Sequence, residues 1–157
     1  MVSLLFGALP VGTSIVTEHY PPYEMQEPHN GLRGFDYEIA IEAFQRLGFD
    51  PQIVFLPWRR ALEEVRQGNA VGVLTCAHTE ERESFILYSD PISSFTSGFF
   101  VRADHDGPII TALDDVHGLS VASVSSYETL LVLEQLGLNP LEAPNTELAI
   151  RMLLQSR

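Results

Sequence analysis

The sequence contains no lysine, and its nine basic residues are all arginine. That absence excludes Schiff-base chemistry on a lysine amine and the phosphate-binding lysine of a P-loop. Cations are scarce altogether: 9 basic against 21 acidic residues leave a formal net charge of −12. Binding to nucleic acid needs several arginine or lysine contacts to phosphate, so this chain is a poor polyanion binder and no nucleic-acid partner is expected. Cysteine occurs once, at Cys76, so no internal disulfide can form. No apolar run approaches the ~18 residues of a membrane-spanning helix. A Gly-rich phosphate loop and the Gly-x-Ser-x-Gly elbow of hydrolases are also missing.

What is present is a core-forming chain. Hydrophobic residues make up 45% of the 157 and charged residues 19%, a globular composition and not a disordered one. The length suits one ordinary domain or two small lobes. Residues 1–13 open on Met1-Val2-Ser3-Leu4-Leu5-Phe6. They are hydrophobic but lack the positive stretch that starts a secretory signal. They read either as the remnant of a signal peptide or as an ordinary buried strand.

From residue 14 the pattern alternates. A strand is predicted over 14–19, stopped by Tyr20-Pro21-Pro22-Tyr23, where two prolines forbid a regular ladder. A helix follows over 36–47, with Ile39, Ala40, Ala43, Phe44 and Leu47 on its inner face and Gly48 ending it. Then come a strand at 52–56 and a helix at 59–67, opened by Pro57, with Leu62 and Val65 inward. Residues 70–75 form a continuous apolar strand, as in a parallel sheet covered on both faces. Thr79 caps a short helical turn, and residues 85–89 and 97–102 read as further strands. A polar Asp/Gly/Pro break at 104–108 marks a lobe boundary. Beyond it lie a short helix at 111–116 and a strand at 120–124. Ser125-Ser126-Tyr127-Glu128 matches a capping box for a helix to 136, and a turn follows at 137–140. Asn145 caps a last helix with Ala149, Ile150, Leu153 and Leu154 inward. This alternation predicts an α/β fold with parallel sheets. The last helix stops at Arg157, where the pattern asks for another strand, so the chain is expected to be interrupted.

Several motifs occur in order: Thr17-Glu18-His19-Tyr20-Pro21-Pro22-Tyr23-Glu24, Gly34-Phe35-Asp36-Tyr37-Glu38-Ile39-Ala40, Pro57-Trp58, and Thr79-Glu80-Glu81-Arg82 leading to Tyr88-Ser89-Asp90-Pro91. Together they resemble the extracellular solute-binding proteins of family 3, the polar amino-acid receptors of ABC importers. Leu113-Asp114-Asp115-Val116-His117-Gly118-Leu119-Ser120-Val121 is similar to the opening of that family's second lobe. The resemblance implies a periplasmic-binding-protein-like (type II) fold of two lobes that close on a ligand. Residues 14–103 would then be most of lobe one and 104–157 the first half of lobe two, with a hinge near 102–106. The rest of lobe two, the return to lobe one and the acidic residue that meets a ligand's α-ammonium would be absent.

The candidate site residues follow. Arginine's planar fork holds a carboxylate by two parallel charge-assisted hydrogen bonds, and the resemblance implies that role for Arg82. The plain alternative is a surface arginine pairing with Glu80, Glu81 or Glu83. Tyr20 stands at the carboxyl end of the first strand, where ligands of open α/β sheets lie. It either covers a ligand or packs. Trp58, the single tryptophan, either walls the pocket or packs its helix. The resemblance implies that Thr75 and Ala77 offer backbone and hydroxyl groups to the ligand. Ala77 stands where a serine or threonine is common, and Val71 where an aspartate is usual. Ser125, Ser126 and Tyr127 open a helix, whose N–H groups and dipole favour an anion. The resemblance implies that this helix end meets the carboxylate from the other side, although Ser126 replaces a frequent glycine. Plain N-capping explains the same residues.

Enzyme readings are weaker. Cys76 and His78 would share one face of a strand, but no third orienting residue is identifiable. His78, Glu80 and Glu81 lack the spacing of metal ligands. Catalysis, cofactor and metal are therefore not expected. The expected function is periplasmic capture of a small-molecule ligand, an amino acid or related carboxylate, for delivery to an ABC permease. The alternatives are a sensing domain of a membrane signalling protein or a dehydratase-like enzyme of the same fold. An exposed sheet edge is expected to favour self-association.

Overall fold

Strand β1 (Ser14–Thr17) is the centre of the first sheet. It pairs in parallel with β2 (Gln52–Phe55) on one side and β3 (Gly72–Val73) on the other. Ile15 lies opposite both Ile53 and Gly72. Ile15, Val16 and Thr17 are all buried, as expected of a central strand in a sheet covered on both faces. Helix α1 (Phe35–Arg46) joins β1 to β2, and α2 (Trp58–Arg66) joins β2 to β3. The order β2-β1-β3 reverses direction between these crossovers. Right-handed connections therefore place α1 and α2 on opposite faces. They also open a crevice at the carboxyl ends of β1 and β3, the topological switch point.

The computed structural model describes residues 14–155, so the reading of residues 1–13 lies outside the described residues. The chain divides into two compact units, one ending at Ser93 and one beginning at Ser94. The polar break at 104–108 thus lies inside the second unit. Residues 94–103 fall in the second unit as well.

Helix α1 starts where Gly34 adopts φ 114°, and a Cβ there would overlap the Tyr23 carbonyl. That close approach lets the Phe35 N–H donate to the Pro22 carbonyl (3.2 Å) and the Asp36 N–H to the Tyr23 carbonyl (3.1 Å). The proline turn thereby caps the helix in place of a side chain. The inner face differs from the predicted one. Ala40 is buried and packs with Ile15, Leu74, Tyr37, Phe44 and Ile53, whereas Ile39, Ala43 and Leu47 are exposed. The cause is Asp36, which is fully buried and sets the rotation of the Asp36–Ala40–Phe44 stripe. A buried carboxylate does not register in hydrophobic periodicity.

In α2, Pro57 precedes the first turn, where its missing N–H costs nothing. Trp58, Ala61 and Leu62 are buried and Val65 half-buried. Strand β3 is shorter than predicted. The Leu74 N–H still bonds the Val16 carbonyl (2.9 Å), but Thr75 takes φ 54° and ends the ladder. Thr79 caps α3 (Glu80–Glu83), its hydroxyl accepting the Arg82 N–H. The strands predicted at 85–89 and 97–102 are not formed among the described residues. A strand needs a neighbour's N–H and C=O groups, and apolar content does not reveal whether that neighbour is there.

In the second unit, a 3-10 turn at Leu113–Val116 is held by the Asp115 carboxylate, which accepts the Thr111 and Ala112 N–H groups at 2.8 and 2.9 Å. β4 (Ala122–Val124) pairs in parallel with β5 (Leu141–Ala143) through α4 (Glu128–Gln135). The predicted capping box is absent. The helix begins at Glu128, and the Ser125 hydroxyl donates instead to Glu142 (2.8 Å) across the two strands. β5 was not expected after the 137–140 turn. α5 (Thr146–Leu154) packs on both strands and is capped by Asn145, which accepts the Leu148 N–H (2.9 Å). Ala149 and Leu153 face inward with Met152, but Ile150 and Leu154 are exposed. Two strands cover only one stripe of the helix. No helix among the described residues is long and apolar enough to cross a membrane.

Candidate functional site

The chain leaves β1 into the proline turn. The Tyr20 N–H donates to the Glu24 carbonyl (2.8 Å), the Glu24 N–H returns to the Tyr20 carbonyl (3.1 Å), and the Pro21–Pro22 peptide is cis. The Tyr20 ring stacks on Tyr23, centroids 5.6 Å apart. Burial raises the Tyr20 pKa, with smaller contributions from Tyr23, Glu18 and Glu24.

The chain leaves β3 through Thr75, Cys76 and Ala77. The cap at Thr79 then turns Arg82 back toward the strand end. One Arg82 N–H donates to the Ala77 carbonyl at 2.7 Å, and the guanidinium carbon lies 5.6 Å from the centre of the Trp58 ring. Arg82 is 4% exposed, so it is not the surface arginine of the plain alternative. Of the neighbouring acids, Glu81 pairs with Arg66 (3.0 Å) and Glu83 with His78 (2.7 Å). Ala77 serves through its carbonyl, which also accepts the Tyr88 hydroxyl (3.1 Å). Burial, reinforced by Cys76, pushes the Tyr88 pKa up to about 12. The Cys76 Sγ lies 3.7 Å from both Tyr88 and Arg82, while His78 pairs with Glu83 and packs its ring 4.9 Å from that of Tyr88, so the two residues of the suggested thiol pair both lie against Tyr88 but take different hydrogen-bond partners.

The structure thus brings Trp58, Ala77 and Arg82 together, with Thr75 beginning the same turn and Tyr20 at the end of the adjacent strand. Ser125, Ser126 and Tyr127 belong to the second unit, before α4. There Ser126 has φ 66° and the Tyr127 N–H donates to the Val124 carbonyl (3.1 Å).

Two residues that carried the motifs have a larger part than sequence reasoning gave them. Glu24 is 1% exposed and Asp36 fully buried. Asp36 Oδ2 accepts the hydroxyls of Thr75 and Ser93, both at 2.8 Å. Glu24 Oε1 lies 3.4 Å from the Thr17 hydroxyl, which also reaches the Leu74 carbonyl at 3.1 Å. Glu24 Oε2 and Asp36 Oδ1 are buried with no hydrogen-bond partner. Burial, with nearby Asp36 and Glu18, pushes the Glu24 pKa up to about 8 against the pull of Thr75 and Thr17. Among the described residues, no group of three or more His, Cys, Asp or Glu is placed to hold a metal.

Known proteins match this chain along most of its length. It is 23% identical over 111 residues to the arginine-binding periplasmic protein of Mannheimia haemolytica, covering 68% of this chain and 47% of that protein. It therefore spans about half of that relative's length. Among solved structures, a histidine kinase sensor domain with similarity to periplasmic binding proteins superposes with a TM-score of 0.73 at 22% identity, over 92% of this chain and 64% of that one. An ancestral amino-acid-binding protein, a precursor of cyclohexadienyl dehydratase, superposes with a TM-score of 0.72 at 19% identity, over 92% of this chain and 67% of that one. These likenesses show the expected α/β fold of periplasmic binding proteins. The model of the bacterial extracellular solute-binding proteins, family 3, matches residues 13–152, and the chain belongs to that family.

Proposed function

We infer that this chain takes part in reversible binding of a small polar solute, an amino acid or related carboxylate, without chemical conversion. Arg82 is the observation that carries this reading. A cation 4% exposed lies at the carboxyl ends of parallel strands, bonded to the Ala77 carbonyl and lying over the Trp58 ring. A guanidinium already ordered in this way loses little freedom on meeting a carboxylate. In a buried setting the charge-assisted bonds are strong. Trp58 and Tyr20 supply apolar and aromatic surface for the rest of the ligand. Thr75 and the Ala77 backbone supply polar contacts. In the second unit, the dipole at the N-terminus of α4, just after Ser125, Ser126 and Tyr127, favours an anion.

Lobe closure, hand-over to an ABC permease and a periplasmic location complete the proposal and rest on family membership. Isothermal titration with a panel of L-amino acids, and with the matching amines that lack the carboxylate, tests it. Saturable heat from an amino acid, none from its amine, and recovery of the ligand unchanged are the expected results. Conversion of the ligand would favour a dehydratase-like enzyme, and equal binding of the amine would remove Arg82 from the site.

A further inference from the structure

We propose that Glu24 is a neutral acid whose single proton fastens the Thr75 turn of the candidate site to the end of β1, and that ionising it loosens that turn. The inference uses the reading above only in taking the Thr75 turn as part of the site.

Counting protons leads to it. A threonine hydroxyl carries one proton, a carbonyl or carboxylate oxygen none. The Thr17 hydroxyl lies closest to the Leu74 carbonyl, at 3.1 Å, the shortest of its three contacts. The Thr75 proton goes to Asp36 Oδ2 at 2.8 Å, which also takes the Ser93 proton. Each threonine can turn its one proton to Glu24 only by leaving its other acceptor, the Leu74 carbonyl or Asp36. An ionised Glu24 would therefore draw these hydroxyls away from the bonds that hold the end of β3, with Oε2 still buried and unpartnered. Burying a carboxylate in that state is costly. A neutral Glu24 reverses the contact, because its O–H donates to Thr17 Oγ1.

The surroundings agree. Glu24 is packed between the end of β1 (Thr17) and Glu18 just beyond it, the proline turn (Tyr20), α1 (Asp36) and the end of β3 (Thr75). The charges that act on it, Asp36 and Glu18, are both negative. Burial raises its pKa to about 8, within reach of mildly alkaline conditions. Once ionised, Glu24 competes with Asp36 for the one Thr75 proton. Thr75 holds φ 54°, a conformation disfavoured for a β-branched residue, so it depends on these bonds. Asp36 passes the effect on to Ser93, the last residue of the first unit.

Carbon-detected NMR of the side-chain carboxyls tests this on the whole chain labelled at glutamate, titrated without ligand. The expected result is one glutamate still protonated at neutral pH, titrating near pH 8 and missing from Glu24→Gln, with the Thr75 amide moving at the same midpoint. In Glu24→Gln the Thr75 amide should be flat across that range. Asp36→Asn should lower the high midpoint, which assigns it even if Glu24→Gln does not fold. Every glutamate titrating near its ordinary value of about 4.5, or a Thr75 amide indifferent to the midpoint, would overturn the proposal. No amino acid is present, so failure here leaves the binding reading standing.

Discussion

The Arg82 guanidinium carbon lies 5.6 Å from the centre of the Trp58 ring, and both side chains are buried. This contact joins the first residue of α2 to the short helix after β3. A cation over an indole face is held electrostatically, by about 0.5–2 kcal/mol depending on exposure. The pair therefore orders the guanidinium before any ligand arrives.

Trp58→Ala should destabilise the chain by roughly 3–5 kcal/mol, the cost of deleting a large buried ring. Trp58→Phe, which keeps an aromatic face over Arg82, should cost clearly less. Urea denaturation followed by circular dichroism separates the two. Trp58 is the sole tryptophan, so its emission in the native protein should also change on saturation with an amino acid.

Gly34→Ala should be among the most damaging small substitutions. Its positive φ costs roughly 1–2 kcal/mol for a residue with a Cβ, and that Cβ would overlap the Tyr23 carbonyl. Gly48 also has positive φ but open space around it, so Gly48→Ala should show the backbone cost alone. Equal losses in thermal stability for the two variants would contradict the packed cap of α1.

Stability should depend on pH through Glu24. Its folded pKa, about 8, exceeds the ordinary 4.5. Between these values the folded chain holds a proton that the unfolded chain has released, so stability falls as pH rises. The contribution is complete below about pH 4.5 and lost as pH passes about 8. Each tenfold difference in proton affinity is worth about 1.4 kcal/mol. Glu24→Gln, which resembles the neutral acid, should flatten this slope and exceed the native chain in stability at alkaline pH. An unchanged slope in denaturation midpoints across that range would contradict it.

The first sheet ends at β2 and β3 among the described residues, and Val54 on β2 is exposed. Unpaired edges of this kind recruit partners. Sedimentation velocity should show an average mass that rises with concentration. A monodisperse monomer at all concentrations would contradict self-association.

The sheet-and-helix order of the first unit was readable because β1, α1, β2 and α2 carry strong apolar periodicity between Gly and Pro stops. Caps at Thr79 and Asn145 were readable because one side chain sits next to the N–H it serves. The inner face of α1 was not, since Asp36 turns the helix by a contact 39 residues away in sequence, at Thr75. The ladder partners of 85–89 and 97–102 are equally nonlocal, and sequence pattern cannot supply them. At the site, the family resemblance singled out Arg82 and Thr75, and Trp58 drew notice as the single tryptophan. The Glu24–Asp36 cluster escaped because buried acids look like surface acids until burial is known.

The central claim is that Arg82 holds a ligand carboxylate, and isothermal titration of the native protein beside Arg82→Ala with the best-binding L-amino acid tests it most directly. The account predicts a loss of roughly 2–5 kcal/mol in binding free energy for Arg82→Ala, the cost of leaving a buried charge without its partner, with circular dichroism confirming that the variant is folded. Unchanged affinity in a folded Arg82→Ala protein would contradict it.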